Sequence, residues 1–266
     1  MDRGRTRSLV LGVAALIAVA GTLGLVLIGP ERSGRVPPGV SPPPGSLAPL
    51  PPPLSTEELY AAFSNGGTAW SGGERTVLST VPAGGLLLPT GRLVAADVYF
   101  LDREPYIRRL PAGRHPVVLL SVARPADVIR SVAAAMIRVG PGDPVSWELA
   151  LVPGQAPAAL QPGEFFGYGV DSGLGSFASA EAAATVTAGD FDAYSDQVHH
   201  GMFPSDDVVD WNITVEVVVD PASGANVIAF SSGFGDGAYP TWFGLDATGE
   251  PLVVLTDFEI LEGSGP

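Results

Sequence analysis

The stretch 231–239 reads Ser-Ser-Gly-Phe-Gly-Asp-Gly-Ala-Tyr, so that Gly233, Gly235 and Gly237 bracket Asp236. Glycine permits positive φ and close backbone approach, and a carboxylate can therefore be presented at a tight bend beside Tyr239 and Trp242. A second unit, Gly169-Val170-Asp171-Ser172-Gly173, repeats the arrangement. An Asp in such a turn has two uses: it bonds its own backbone as a structural Asx turn, or it faces outward as a ligand. On the second reading Asp171, Gly173, Asp236, Gly237 and Tyr239 line one shared binding site, with Asp97 and Asp257 as further candidate ligands. No cofactor is called for. Calcium is the one candidate cation, at low affinity, because weak oxygen sites suffice where calcium is plentiful outside the cell. No residue is assigned a catalytic role, and a binding module is favoured over an enzyme. The alternative is a hydrolase with one carboxyl raised in pKa as general acid and a second ionised as base or nucleophile. Its candidates are Asp97, Glu148, Asp171, Asp236 and Asp257. A carboxyl separation of about 5–5.5 Å, or of about 6.5–9.5 Å, across an open cleft would mark glycosidase-like chemistry.

Other chemistries are excluded or weak. The 266 residues include no cysteine and no lysine. That removes disulfides, thiolate metal sites, thiol nucleophiles, Schiff-base amines and the phosphate-binding lysine of a P-loop. The pattern Gly-x-Gly-x-x-Ala occurs at 173–178 and 233–238, but among 34 glycines such matches arise by chance. The pyrophosphate they would cradle also needs a helix N-terminus within a βαβ unit. His199 and His200 are adjacent, so on a helix or strand they point different ways. The formal charge of −14 disfavours nucleic acid, whose phosphates need a basic footprint. Charge is also unevenly placed: residues 55–138 hold nine Arg and seven acids, whereas 139–266 hold nineteen acids and no Arg or Lys. The acids of the second half are expected to be solvated, with some pairing to Arg of the first.

The elements that must position these residues begin after two non-globular segments. Residues 9–29 are 21 uncharged residues, twelve of them Leu, Ile or Val. As a helix they would measure about 31 Å, the thickness of a hydrocarbon core. Arg3, Arg5 and Arg7 precede this segment while Arg32 and Arg35 follow it. The positive-inside rule therefore predicts a signal anchor with residues 1–8 cytoplasmic and the rest of the chain outside the cell. Cleavage near Ala20, at Ala18-Val19-Ala20, would instead release a secreted protein. Residues 30–54 form a linker, with ten prolines between 30 and 53, a composition that stiffens into polyproline II.

The folded domain is expected over 55–266. Ser55-Thr56-Glu57-Glu58 is a capping box opening a helix through about Phe63, with Leu59, Ala62 and Phe63 on its buried face. Short apolar runs between Gly, Pro and Asp clusters predict strands at 76–81, 86–88, 92–98, 117–123, 145–152, 164–170, 208–219, 227–232, 239–245 and 252–261. The last two flank a turn at Asp246-Ala247-Thr248-Gly249. The stretch 127–139 fits helical spacing but has the β-branched content of a strand, and is read as a strand. Helices are expected at 179–188 and 191–199. The fold class is therefore mainly β (α+β), one globular domain with a few short helices, preceded by a transmembrane helix and a Pro-rich linker. Strands do not alternate with long helices, which argues against a doubly wound nucleotide fold.

Six blocks in order also resemble a known family, the DUF4241 domain. They are Thr90-Gly91-Arg92-Leu93-Val94-Ala95-Ala96-Asp97, Pro111-Ala112-Gly113-Arg114-His115-Pro116-Val117, Val145-Ser146-Trp147-Glu148-Leu149-Ala150, Gly169 to Gly173, Gly233 to Tyr239, and Thr256-Asp257-Phe258. The resemblance covers roughly residues 86–260. It implies no reaction, since that family is named for its unknown function. Two departures stand out: the family pattern has Asp-Pro where this chain has Asp97-Val98, and an Asp where this chain has Ser179. If that Asp were a ligand or acid, its absence would weaken a metal or catalytic role here. The function expected is a single-pass membrane protein that displays a β-rich binding or scaffold module to an extracellular protein or ligand, with Asp171 and Asp236 at its binding surface.

Overall fold

A computed structural model describes residues 54–123 and 130–263. The predicted span 9–29 and almost all of the Pro-rich linker lie outside the described residues. Among the described residues no helix is long and apolar enough to cross a membrane.

The first element, α1 (Thr56–Asn65), opens on the predicted capping box: the Glu58 N–H donates to Ser55 Oγ and the Ser55 N–H donates to the Glu58 carboxylate. Strands follow as β1 (Gly67–Ser71), β2 (Glu74–Leu88), β3 (Leu93–Asp97), β4 (Gly113–Ala123), β5 (Ser131–Arg138), β6 (Ser146–Leu149), β7 (Gly167–Val170) and β8 (Leu174–Ser179). Two helices, α2 (Ala180–Ala188) and α3 (Phe191–Met202), precede β9 (Thr214–Asp220), β10 (Ala225–Ser231), β11 (Gly237–Leu245) and β12 (Pro251–Asp257). One sheet runs β1-β2-β4-β5-β12-β11-β6, with β7 pairing the first half of β11, and the second runs β3-β8-β10-β9. All pairs are antiparallel. The domain is mainly β, as expected.

Side-chain alternation divides the apolar residues among three cores. Along β10, Ile228 and Phe230 enter the core between the sheets, while Val227 and Ala229 face α2 and α3. Leu93 and Ala95 of β3 likewise oppose Val94 and Ala96. On the far face of the larger sheet, Leu59 and Phe63 of α1 cover Leu120, Val122, Met136 and Leu255. The order is therefore helix, sheet, sheet, helices. Tyr194, Val198 and Met202, one turn apart on α3, are its buried stripe.

Several boundaries depart from expectation for identifiable reasons. The runs 76–81 and 86–88 form one strand, β2, because a bulge carries the chain through Pro82 and Gly84. Proline is tolerated there because β1 pairs only residues 74–78, leaving that edge open. The described part of 127–139 is a strand whose period is broken by a bulge: Leu120 faces Ala134 while Ser121 faces Val132, which skips Ala133. Six buried residues in a row, Val132–Ile137, gave it helical spacing. Of 208–219, residues Val208–Asp210 make a 3₁₀ turn and only Thr214–Asp220 pairs. The short strands β1 and β8 escape sequence reading, the first between glycine pairs and the second inside Gly-Leu-Gly-Ser-Phe-Ala. The 173–178 match to a dinucleotide motif is thus mostly a buried strand, with no helix N-terminus facing its glycines. The Asp246 turn forms as predicted, its carboxylate accepting from the N–H groups of Thr248 and Glu250 at 2.8 and 2.9 Å.

Candidate functional site

The β7–β11 ladder sets Val170 opposite Gly237 and Gly169 opposite Ala238. Asp171 follows Val170 and Asp236 precedes Gly237, so both acids lie one residue beyond the last pair, at the same end of the ladder. Their turns also touch: the Ser232 N–H donates to the Gly173 carbonyl at 3.1 Å, and a Cβ on Gly173 would lie 3.7 Å from the Gly235 Cα.

Both turns are held by residues other than the two acids. Asp97, at the end of β3 and only 3% exposed, accepts three backbone N–H groups. Its Oδ2 takes those of Asp171 and Ser172 and its Oδ1 that of Tyr99, each at 2.9 Å. The other turn closes on itself. The Gly235 N–H donates to the Ser232 carbonyl at 2.7 Å, while Ser232 Oγ and the Tyr239 hydroxyl donate to the Gly235 carbonyl at 2.9 and 2.8 Å. Gly233 has φ +53, and a Cβ there would stand 2.9 Å from the Phe258 carbonyl oxygen. Gly237 is bare for a different reason, since its Cβ would collide with the Tyr239 ring at 2.8 Å. Asp97, Gly237 and the Tyr239 hydroxyl are thus scaffolding of the turns.

Asp171 and Asp236 are both exposed, and among the described residues neither carboxylate takes a hydrogen bond or an ion pair. They are not Asx turns. Their backbones are pinned by neighbours and their charges face water. Phe234, between the glycines, is 51% exposed beside them.

Asp257 and its neighbour Glu259 complete this end. Phe258 stacks edge-on against Tyr239 at 4.9 Å. The chain then turns at Glu259, which has φ +53, the left-handed region that a β-carbon disfavours. Asp257 Oδ1 accepts the Glu259 N–H at 2.7 Å. Burial raises the Asp257 carboxyl to about 6. Although Glu259 keeps an exposed outer surface, its carboxyl is partly enclosed and lies near Asp257; burial and then that charge raise it to about 7. Tyr239 is pushed up to about 12 by burial, reinforced by the Glu259 and Asp236 carboxylates. Sequence reading missed Glu259, although Asp-Phe-Glu spacing after a strand was a visible signal of two acids on one side. Its backbone angle had no such signal.

Among the described residues no three of His, Asp and Glu are grouped so as to hold a metal ion. Glu148 stands apart. It lies on β6 opposite Phe243 of β11, seven residues from Asp236 or about 23 Å along a strand. There it forms a two-point ion pair with Arg108, whose closest contact is 2.7 Å. Arg114–Glu216 at 3.3 Å is the other ion pair among the described residues, and both join an Arg of the first half to an acid of the second. His199 and His200 are exposed on the last turn of α3.

The departures from the family pattern also have local meanings. Ser179 is buried at the N-cap of α2, where its Oγ accepts the Ala182 N–H at 3.0 Å. An Asp would cap the same helix, so this position is explained by helix geometry without a ligand. The Val98 N–H donates to the Leu174 carbonyl at 3.0 Å, a bond that a proline could not make.

No curated protein and no solved structure matches the chain. A family model described as "Protein of unknown function (DUF4241)" matches residues 86–256, which take in β3 to β11, β12 up to Thr256, both acid-bearing turns and Asp97. The match spans well over half of the chain, and the chain belongs to the DUF4241 family.

Proposed function

We propose that this protein is a binding module whose recognition surface is the pair of turns bearing Asp171 and Asp236, and that its ligand carries positive charge. One observation carries the reading: two exposed carboxylates stand at one end of the β7–β11 ladder on turns held by Asp97, Ser232 and Tyr239, and among the described residues neither has an internal bond to break before it engages a ligand. Preorganised charge of this kind binds with little ordering cost. The experiment is calorimetric titration of the full chain with calcium chloride, spermidine and an arginine-bearing peptide. At least one should bind, and D171N/D236N should weaken it about tenfold or more without a change in thermal midpoint. If the double variant binds every member of the panel as the wild type does, the turns are not the site.

The setting belongs to the same proposal. Residues 9–29 anchor the chain in the cell membrane, 30–54 space it from the bilayer, and the domain stands outside the cell. Protease shaving of intact cells should remove a C-terminal epitope. Complete protection with the membrane intact would overturn this placement.

A carboxylate hydrolase is the second reading, and what favours it is the Asp257–Glu259 pair, poised near neutrality by burial. It predicts turnover of an extracellular glycan that D257N and E259Q each abolish. Equal turnover by both variants would end it.

A further inference from the structure

A second surface borders this end of the domain on its helical side. The loop between α3 and β9 leaves nine successive residues, 204–212, exposed. Three are large and apolar: Val208, Val209, which is 66% exposed, and Trp211. Asp206, Asp207 and Asp210 alternate with them. The loop leads into β9 through Ile213, whose carbonyl accepts the Ser231 N–H at 3.0 Å.

This loop is held in shape by polar bonds that leave its apolar side chains outside. Ser205 Oγ donates to Asp210 Oδ2 at 2.8 Å, and Asp207 Oδ1 accepts the Val209 N–H at 3.2 Å. The Trp211 indole N–H donates to the Ser205 carbonyl at 3.2 Å while its ring meets Phe203 edge-on at 4.8 Å. The Asn212 N–H and side-chain amide close the loop onto the carbonyls of Met202 and Gly201, each at 2.8 Å. Ordering exposed apolar groups brings no folding gain by itself, because they stay in water. The surrounding charge is of one sign. From 190 to 220 there are eight acids and no Arg or Lys, and among the described residues Glu216 is the only one of them in an ion pair. The same stretch supplies Phe191, Val208, Val209, Trp211 and Val218, five of the eleven exposed large apolar residues among those described.

We infer that the 204–212 loop, with the exposed face of α3, docks a basic polypeptide that inserts an apolar side chain between Val209 and Trp211 while its Arg or Lys residues meet Asp206, Asp207 and Asp210. Charge complementarity selects this occupant. A second copy of the chain would set acids against acids, and nucleic acid would be repelled.

The probes are three synthetic 14-residue peptides read by fluorescence anisotropy against the full chain: alternating Arg and Leu, Arg and Ser, and Glu and Leu. The Arg/Leu peptide should bind, at least tenfold more tightly than the other two, and lose about tenfold on raising salt from 50 to 500 mM. V209S should weaken it at least fivefold, and D206N about threefold. Neither side chain is buried, so both variants should keep the wild-type circular dichroism and melting point. D171N/D236N should retain the binding, which separates this surface from the turn pair. The inference is overturned if Arg/Ser binds as tightly as Arg/Leu, which would be attraction to net charge alone, or if V209S binds as the wild type does. It is equally overturned if D171N/D236N alone abolishes binding, which would assign the peptide to the turns. Two further outcomes would name a different occupant: sedimentation showing a wild-type dimer that V209S dissociates, or R32E/R35E raising peptide affinity, which would show the chain's own basic segment on the loop.

Discussion

At the scale of single residues, the buried carboxylate of Asp97 does most to shape the end of the domain that carries Asp171 and Asp236. It accepts three backbone N–H groups at 2.9 Å and has little contact with water. Replacing it with alanine strands three donors, and Asp97→Ala should cost about 3 kcal/mol, read as a shift in the urea midpoint. Asp257 and Glu259 act in the opposite sense. Their folded pKa values, about 6 and about 7, lie above the ordinary values of 3.8 and 4.5. The folded state holds these protons more tightly than the unfolded chain does, so their contribution to stability is complete below about pH 4 and is lost as pH rises through 6 and 7. D257N and E259Q should therefore raise the melting temperature at pH 8 relative to wild type and leave it nearly unchanged at pH 4. A wild-type advantage at pH 8 would show that the ionised pair is stabilised by a partner.

At the scale of elements, turns and caps determine whether the acids are presented at all. Gly233 works at positive φ against the Phe258 carbonyl, so Gly233→Ala combines backbone strain with a collision and should destabilise by about 2 kcal/mol or more. Chemical denaturation measures it, and the same variant should disturb Tyr239 and Asp236 together because all three share the turn. Ser179→Ala removes the cap of α2 and should cost about 1 kcal/mol, whereas Ser179→Asn should recover most of that loss. Elements were legible where a local rule had no rival. The α1 capping box and the Asp246 turn are of this kind, because every bond that defines them lies within five residues. Strand β5 was ambiguous because burial on both faces erases the polar half of the two-residue period, and the bulge at Ala133 shifts what remains.

At the scale of the whole molecule, an acidic chain has spread its carboxylates over the surface and paired few of them. The charge of −14 and the two ion pairs among the described residues predict self-repulsion that salt screens. Raising sodium chloride from 10 to 300 mM should increase the melting temperature by a few degrees, as followed by calorimetry. A decrease would mean that ion pairs outweigh repulsion. The layering explains why so charged a chain still folds: the apolar cores lie between helix, sheet, sheet and helices, and among the described residues Asp97 is the one acid buried with them.

Caps, turn chemistry and two-residue alternation act over a few residues, and they suffice to set the class of the domain, its first helix, the hairpin turn near its end and the positions of the two glycine turns. The sequence also put Asp171 and Asp236 first and added Asp97 and Asp257 as further ligands, all four in one role. Only the tertiary structure sorted them into a buried brace, two open carboxylates and one half of a perturbed pair. That division rests on the β7–β11 register, on contact between turns about 60 residues apart, and on the backbone angle of Glu259. Pairings of such long range are selected by the fit of whole sheets, and no local pattern in the chain encodes them.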